Sequence, residues 1–319
     1  MTLPLRPTVA RPTLDPATVH AVTGLVERAR RADSASALNE EAVLRLKADG
    51  SSTVHVLAYS GDDDDSLGGG DLVAYGQLDL SEPAAGVNGE VVVDPVRRRE
   101  GWGTAVVSRA LDEAEGAAVL LWSHGDHPGA GRIATRLGFA RVRELWQMRR
   151  PLDSAAPPEP RPLPDGVSVR TFQRGRDESA WLRLNARAFA AHPEQGGLDA
   201  DDLAQRINSD WFDPSGFFLA ERDGRLVGAH WTKVHRDEGH PPVGEVYVVG
   251  VDPDEQGGGL GSALTAVGLR HLADTGLHEV LLYVEADNTA ALAVYQRLGF
   301  VRRITDVQYE HPGREASGR

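Results

Sequence analysis

The sequence predicts an α/β protein built from two tandem copies of one fold, each a mixed, mostly antiparallel sheet flanked by helices. Three observations predict it. First, Glu245–Ser262 runs from an apolar, β-branched strand at Val246–Val251, through Asp252-Pro253 and a glycine-rich turn, into Leu260, Ala263, Leu264 and Val267 at helical spacing. Second, the same layout stands at Val91–Gly103, where Asp94-Pro95 precedes Arg98 as Asp252-Pro253 precedes Gln256. Third, Arg136-Leu137-Gly138-Phe139 returns as Arg297-Leu298-Gly299-Phe300. Gly101 and Gly259 are 158 residues apart, and Gly138 and Gly299 are 161 apart. Two marker sets in one order at nearly one spacing indicate duplication of a whole domain.

The elements follow in chain order. Residues 1–16 are Pro-rich and are expected to be loose. Val22, Leu25, Val26 and Ala29 predict a first helix, and Ala42, Val43 and Leu46 a second. Thr53–Tyr59 and Leu72–Leu80 read as strands around Gly61–Gly70, a loop carrying four consecutive aspartates. That acidic run is read as a solvated loop tip rather than a metal site, and no metal is expected. Glu90–Val93 is the strand before the first glycine turn, Thr104–Ala114 its helix and Ala118–Trp122 another strand. Phe139–Arg149 is expected to close the first domain. Pro151–Gly166 holds six prolines in sixteen residues and reads as a stiff, extended linker. The pattern then restarts, with a strand at Val167–Phe172 and helices at Asp177–Ala190 and Asp199–Ile207. Strands follow at Phe217–Glu221 and Leu226–His235, then the core stretch. Glu279–Glu285 is a strand, Thr289–Arg297 a helix and Val301–Glu310 the last strand. The expected domains are therefore 1–150 and 167–319, joined by 151–166.

Composition limits the partners. The chain has 319 residues, enough for two cores, with 47 acidic and 34 basic residues for a net charge of −13. Such a balance argues against nucleic acid and anionic membranes. There is no cysteine, hence no disulfide and no thiol catalysis, which suits a cytoplasmic setting. No apolar h-region opens the chain, and no apolar run nears the roughly 18 residues that span a bilayer. A monomer is expected.

The strand, glycine turn and helix start of each copy form an anion site in principle. Free backbone N–H groups point outward, the helix dipole favours negative charge, and glycine lets a phosphate approach. No Lys-Ser/Thr follows the glycines, which argues against a nucleotide-triphosphate P-loop, and GxGxxG fails at Ser262 and Leu264. The pattern that fits is Gln256-x-x-Gly259-x-Gly261, with Arg98-x-x-Gly101-x-Gly103 in the first copy.

Those motifs, closed in each copy by Arg-Leu-Gly-Phe, resemble the acetyl-CoA pyrophosphate loop and the end of the fold in GCN5-related N-acetyltransferases, the GNAT family. The resemblance implies acetyl-CoA as cosubstrate and no permanently bound cofactor. It places acetyl-CoA contacts at Val249, Gly250, Val251, Gln256, Gly257, Gly258, Gly259, Leu260, Gly261, Ser262, Asn288 and Ala291. In the first copy it places them at Val91, Val92, Val93, Arg98, Arg99, Gly101, Trp102, Gly103 and Thr104. Acetyl transfer to an amine calls for a base that deprotonates the acceptor and an acid that meets the leaving thiolate. In this family the acid is often a tyrosine in the helix before Leu-Gly-Phe, which here is Tyr295, and Glu245 is the candidate base. Tyr295 also shares a stripe with Ala291 and Leu298, so core packing is the competing role. The matching first-copy positions hold Ala134 for Tyr295, His127 for Asn288 and Val87 for Glu245. The second copy is therefore expected to carry the chemistry.

With Asp237–Pro242 as a hairpin loop, Lys233 falls roughly opposite residues 245–246. A surface salt bridge is the plain reading of that pair, as an ordinary turn is of Glu194. Longer runs narrow the resemblance. His192-Pro193-Glu194-Gln195-Gly196, His230-Trp231-Thr232-Lys233-Val234-His235, Gly244-Glu245-Val246-Tyr247-Val248 and Met148-Arg149-Arg150-Pro151-Leu152 are similar to a branch that acetylates the cysteinyl amine of Cys-GlcN-Ins, giving mycothiol. That implies acceptor contacts at Glu41, Glu194, Lys233, Glu245 and Tyr283. Acetylation of another small-molecule or peptide amine, and a non-catalytic acetyl-CoA sensor, are the alternatives.

Overall fold

The computed structural model describes residues 8–33, 35–46, 52–61, 70–153, 159, 161–190, 192–236 and 241–313. The chain divides into two compact units, Met1–Leu145 with Ile304–Arg319, and Trp146–Arg303. In order, the elements of the first half are β1 (Val9–Arg11), α1 (Pro16–Asp33), α2 (Glu40–Arg45), β2 (Thr53–Tyr59), β3 (Leu72–Asp79), β4 (Val87–Val93), α3 (Trp102–Glu113), β5 (Val119–Ser123), α4 (Pro128–Leu137) and β6 (Ala140–Pro151). Those of the second are β7 (Val167–Thr171), α5 (Glu178–Ala188), α6 (Pro193–Gly196), α7 (Ala200–Ile207), β8 (Phe217–Arg222), β9 (Arg225–His235), β10 (Val243–Val251), α8 (Leu260–Asp274), β11 (Glu279–Glu285), α9 (Thr289–Arg297) and β12 (Val301–His311).

The sheet of the first unit has the order β1-β2-β3-β4-β5-β12. Its strands are antiparallel except for β4 and β5, which are parallel. The order in the second unit is β7-β8-β9-β10-β11-β6, again antiparallel up to the parallel β10–β11 step. Each unit is thus closed by the last strand of the other half of the sequence. β12 pairs Val307–His311 with Ser123–Val119 of the first unit. In the second unit Leu152 N–H donates to His278 O at 2.8 Å, and Met148 and Leu152 are buried among Leu269, Leu272 and Val280.

This corrects the linear boundaries at 150 and 167, because Phe139–Arg149 does not simply close the first domain. Both terminal strands follow an identical Arg-Leu-Gly-Phe turn, so local pattern cannot tell which sheet each joins. The Pro-rich segment is also not wholly a spacer. Pro151 ends β6, Leu152 is core, and Leu163 packs on Ala220, Val227, Leu260 and Leu264. Val9–Arg11, expected to be loose, pairs with His55–Leu57 as an edge strand.

Amphipathic spacing accounts for the packing. In α1, Val22, Leu25 and Ala29 recur at three and four residues and are buried on β2 and β3 with Leu57 and Tyr75. In α8, Leu260, Ala263, Leu264, Leu269, Leu272 and Ala273 are all buried. Asn39, His127, Asp199 and Asn288 cap their helices by accepting backbone N–H groups. The acidic run falls at residues 62–69, outside the described residues. Among the described residues no helix is long and apolar enough to cross a membrane, and no three His, Cys, Asp or Glu are grouped to hold a metal ion.

Candidate functional site

In the second unit β10 ends at Asp252, whose carboxylate accepts Asp254 N–H at 3.1 Å and Arg187 at 2.9 and 3.0 Å. This ion pair anchors the turn that follows. Gly259 adopts φ +84, the left-handed conformation that glycine takes without a Cβ penalty, and becomes the N-cap of α8 with no side-chain hydrogen bond. The first N–H groups of α8, from Leu260 to Ser262, are therefore left without a side-chain cap. A Cβ on Gly261 would meet Val251 Cγ2 at 3.5 Å, an ordinary contact, so the fold itself has room there.

Beside this loop the sheet opens. β10 and β11 pair in parallel at Gly244–Val280 and Glu245–Leu281 only. On its other side β10 carries a bulge between Val246 and Val248, with Tyr247 as the extra residue against β9. A bulge bends its strand and re-aims side chains. Glu245, at the point of divergence, is 6% exposed and lies directly opposite Lys233, itself 7% exposed. The expected facing of residues 233 and 245 is met. Lys233 Nζ stands 4.6 Å from the centre of the Trp211 ring and 5.4 Å from that of Tyr247, a cation–π arrangement. Tyr247 in turn accepts from Arg206 Nε at 3.2 Å, and His235 Nε2 lies 2.6 Å from Glu245 Oε2. Neither His235 nor Trp211 nor Tyr247 stands among the sequence-derived site residues. For His235 the signal was available, since Lys233-x-His235 alternates onto one face of a strand.

Tyr283 lies on β11 and is 45% exposed, and its hydroxyl accepts Gln147 Nε2 at 2.9 Å. Gln147 is buried on β6, and Arg149 Nε holds its Oε1 at 2.8 Å. A first-half strand thus orients a tyrosine on a second-half strand, which no local pattern could indicate. Tyr295 is half-buried on α9, edge-on to Phe300 with ring centres 5.8 Å apart. Burial pushes its hydroxyl up to about 12, so the phenol stays neutral and able to donate. Asn288 caps α9 by accepting Ala291 N–H at 3.1 Å. These two residues therefore satisfy each other here, independently of any ligand.

Glu194 falls in the short helix Pro193–Gly196, and its side chain is outside what the structure describes. That helix, read as a loop from sequence, is tied to α5 through Gln195 Nε2, which donates to Asn185 Oδ1 at 3.0 Å. Glu41 stands on α2 in the first unit, exposed and bonded to Arg45 at 2.6 Å.

The first unit has the same loop with different surroundings. Gly101, φ +96, is the uncapped start of α3. Val91, Val92, Val93, Arg98, Arg99 and Gly101–Thr104 line a cleft of about 410 Å³ that also includes Trp122, His124 and His127. Arg98 is held by Asp33 at 2.7 and 2.6 Å, so its guanidinium already has an anion. β4 and β5 stay paired from Val87–Val119 to Glu90–Trp122, and the β3–β4 register is unbroken. Counted from Asp-Pro, that pairing runs three residues past the point at which β10 and β11 part. Val87 and Ala134 are buried and apolar. At the head of the cleft His124 lies between Glu90, 3.0 Å, and Asp306, 3.2 Å. Burial opposes its charge, but the two carboxylates outweigh this and push it up to about 10.

Comparison with known proteins agrees with this picture. The profile of the acetyltransferase (GNAT) family matches residues 181–300, within the second copy. The mycothiol acetyltransferase of Streptomyces coelicolor is 50% identical over 297 residues, 93% of this chain and 92% of that protein. That of Thermomonospora curvata is 51% identical over 291 residues, 91% and 93% of the two chains. Among solved structures, a GCN5-related N-acetyltransferase from Sphaerobacter thermophilus superposes with a TM-score of 0.73 at 26% identity, covering all of both chains. A tandem GNAT protein from the clavulanic acid biosynthesis pathway gives 0.71 at 20% identity over 96% and 98%, a likeness of fold.

Proposed function

The chain belongs to the mycothiol acetyltransferases, tandem members of the GNAT family, and we propose from that premise that it acetylates the cysteinyl amine of desacetylmycothiol (Cys-GlcN-Ins). It is an N-acetyltransferase of mycothiol synthesis. Acetyl-CoA is the donor, with its pyrophosphate on the Gln256–Ser262 loop, its thioester in the opening between β10 and β11, and Asn288 and Ala291 nearby. The second unit performs the transfer. The first unit, with apolar residues at Val87 and Ala134 and a pairing that stays closed to Glu90, contributes an acetyl-CoA-type cleft without a base or an acid.

The observation that carries the assignment is Glu245: a buried carboxylate at the strand divergence, opposite Lys233 and bonded to His235. The acceptor arrives as an ammonium, with a pKa of about 7.7–8.0 for an ordinary α-amino group. Glu245 takes one proton, directly or through one water, before the nitrogen attacks the thioester carbon. Tyr295 donates a hydrogen bond to the departing sulfur. Lys233, Glu194 and Tyr283 supply polar contacts for the sugar and inositol hydroxyls. The protein is read as a cytoplasmic monomer, which light scattering would report as about 34.3 kDa.

Incubation with acetyl-CoA and a panel of amines, including Cys-GlcN-Ins and its sugar amine without cysteine, tests the assignment by product mass. Acetylation confined to the cysteinyl nitrogen is expected. Preference for an aminoglycoside or a peptide N-terminus would overturn it.

A further inference from the structure

We propose that His235 is the positioning residue of the base: its Nε2–H holds one oxygen of Glu245 so that the other faces the acceptor nitrogen. The inference rests on the assignment of Glu245 as the base. Its support is geometric. His235 pairs with Val243 in the β9–β10 ladder, two residues from Glu245, so its ring leans diagonally along the strand to reach Oε2 at 2.6 Å. That distance is in the range of charge-assisted hydrogen bonds. A carboxylate oxygen accepts, so Nε2 is the nitrogen that carries the hydrogen toward it. Glu245 is buried, whereas a third of the His235 side chain is exposed, so the imidazole joins a desolvated carboxylate to solvent.

The surrounding charges divide the work. Lys233, on the strand of His235, stands over the Trp211 and Tyr247 rings, and Arg206 of α7 is bonded to the Tyr247 hydroxyl. His235 holds Glu245 Oε2, and the proposal assigns Oε1 to the acceptor. In the reaction R–NH3⁺ loses one proton to Oε1 before attack. The new C–N bond forms, and collapse of the tetrahedral adduct breaks the C–S bond. The second amine proton, shed from that adduct, matches the proton taken up by the CoA thiolate. The first is released to water, restoring the carboxylate bonded to His235.

The test compares His235→Phe and His235→Gln with the wild-type protein in pH profiles of kcat/KM for Cys-GlcN-Ins at saturating acetyl-CoA. Phenylalanine removes the donor; glutamine keeps an N–H within reach of the same oxygen. His235→Phe should lower kcat/KM for the acceptor by roughly 10- to 100-fold, the weight of one hydrogen bond to a charged group. It should also move the acidic limb to higher pH, because a carboxylate that loses a donor binds its proton more readily. KM for acetyl-CoA should stay unchanged, and His235→Gln should recover most of both effects. A melting curve for each variant separates folding from function. An acidic limb that stays in place in folded His235→Phe, whatever its rate, would overturn the inference alone. A wild-type protein inactive toward the cysteinyl amine would overturn the proposed function and the inference with it.

Discussion

Tyr295 and Glu245 are the residues on which the proposed chemistry turns, and their surroundings decide how each can act. With its hydroxyl pushed up to about 12, Tyr295 is a weaker acid than an ordinary thiol, whose pKa is about 8.5. Its contribution is therefore a hydrogen bond that strengthens as negative charge grows on sulfur, rather than an early proton transfer. Tyr295→Phe keeps the ring against Phe300 and removes that donor. Turnover should fall by about 10²–10⁴-fold, with acetyl-CoA affinity retained by calorimetry. Unchanged turnover would leave Tyr295 as a packing residue of the α9 stripe. Tyr283 depends on a neighbour in the same way. Gln147→Leu removes the donor that fixes its hydroxyl, and KM for the acceptor should rise by about 2- to 10-fold, as expected for one neutral hydrogen bond. An unaltered KM in steady-state kinetics would take Tyr283 out of the acceptor site.

At the level of elements, the two glycine loops look alike in sequence but differ in what surrounds them. Gly261 has ordinary space for a Cβ against Val251, whereas a Cβ on Gly103 would come within 2.9 Å of Ile133 Cδ1 and 3.3 Å of Val93 Cγ2. Gly261→Val should leave a folded protein that has lost acetyl transfer, because the new side chain occupies the approach of the pyrophosphate. Gly103→Val should retain most of the transfer activity but melt earlier, by the roughly 1–3 kcal/mol typical of overpacking. Circular dichroism with parallel rates distinguishes the two. Equal inactivity of two well-folded variants would show that the first loop also serves the reaction. The β10–β11 divergence and the Tyr247 bulge give the second unit its opening. The first unit differs in its unbroken β3–β4 register and in a β4–β5 pairing that runs further toward its own glycine loop.

For the whole molecule, the exchange of closing strands makes the halves of the sequence interdependent. Residues 1–166 and 167–319 produced separately each lack the strand that completes their own sheet and expose an edge. Each should be insoluble or aggregated alone, and the pair should yield a soluble, active complex when produced together. Two independently stable halves, seen as sharp separate melts, would contradict this. The clasp on β12 adds a pH dependence. His124 is held between Glu90 and Asp306, and Asp306 also accepts Gly125 N–H at 2.9 Å. The folded pKa, about 10, is above the roughly 6.5 of an exposed histidine. The stabilisation is therefore complete below about pH 6.5 and lost as pH rises through about 10. The melting temperature should fall over that window, and His124→Gln should flatten the fall. Parallel curves for the two proteins would remove His124 as the cause.

The sequence by itself determined the duplication, the glycine loops, most strands and helices though not β1, α4 or α6, and, to within one residue, the facing of Lys233 and Glu245. Each of these is written in local terms: a period of two or of 3.6, a Pro or Gly at a break, a hairpin short enough to set its own register. It also showed that Val87 and Ala134 stand where the second copy has Glu245 and Tyr295, because the duplicated motifs provide the count. Only the tertiary structure decided which sheet receives β6 and β12, since both strands follow the same Arg-Leu-Gly-Phe turn and either would satisfy either edge. It alone placed Gln147 on Tyr283, His235 on Glu245 and Trp211 beneath Lys233, and it showed Asn288 already engaged as a helix cap. Such pairings depend on strand order, a single bulge and the lean of side chains across a ladder. Those come from the closing of a sheet by distant residues, and no stretch of the chain holds them on its own.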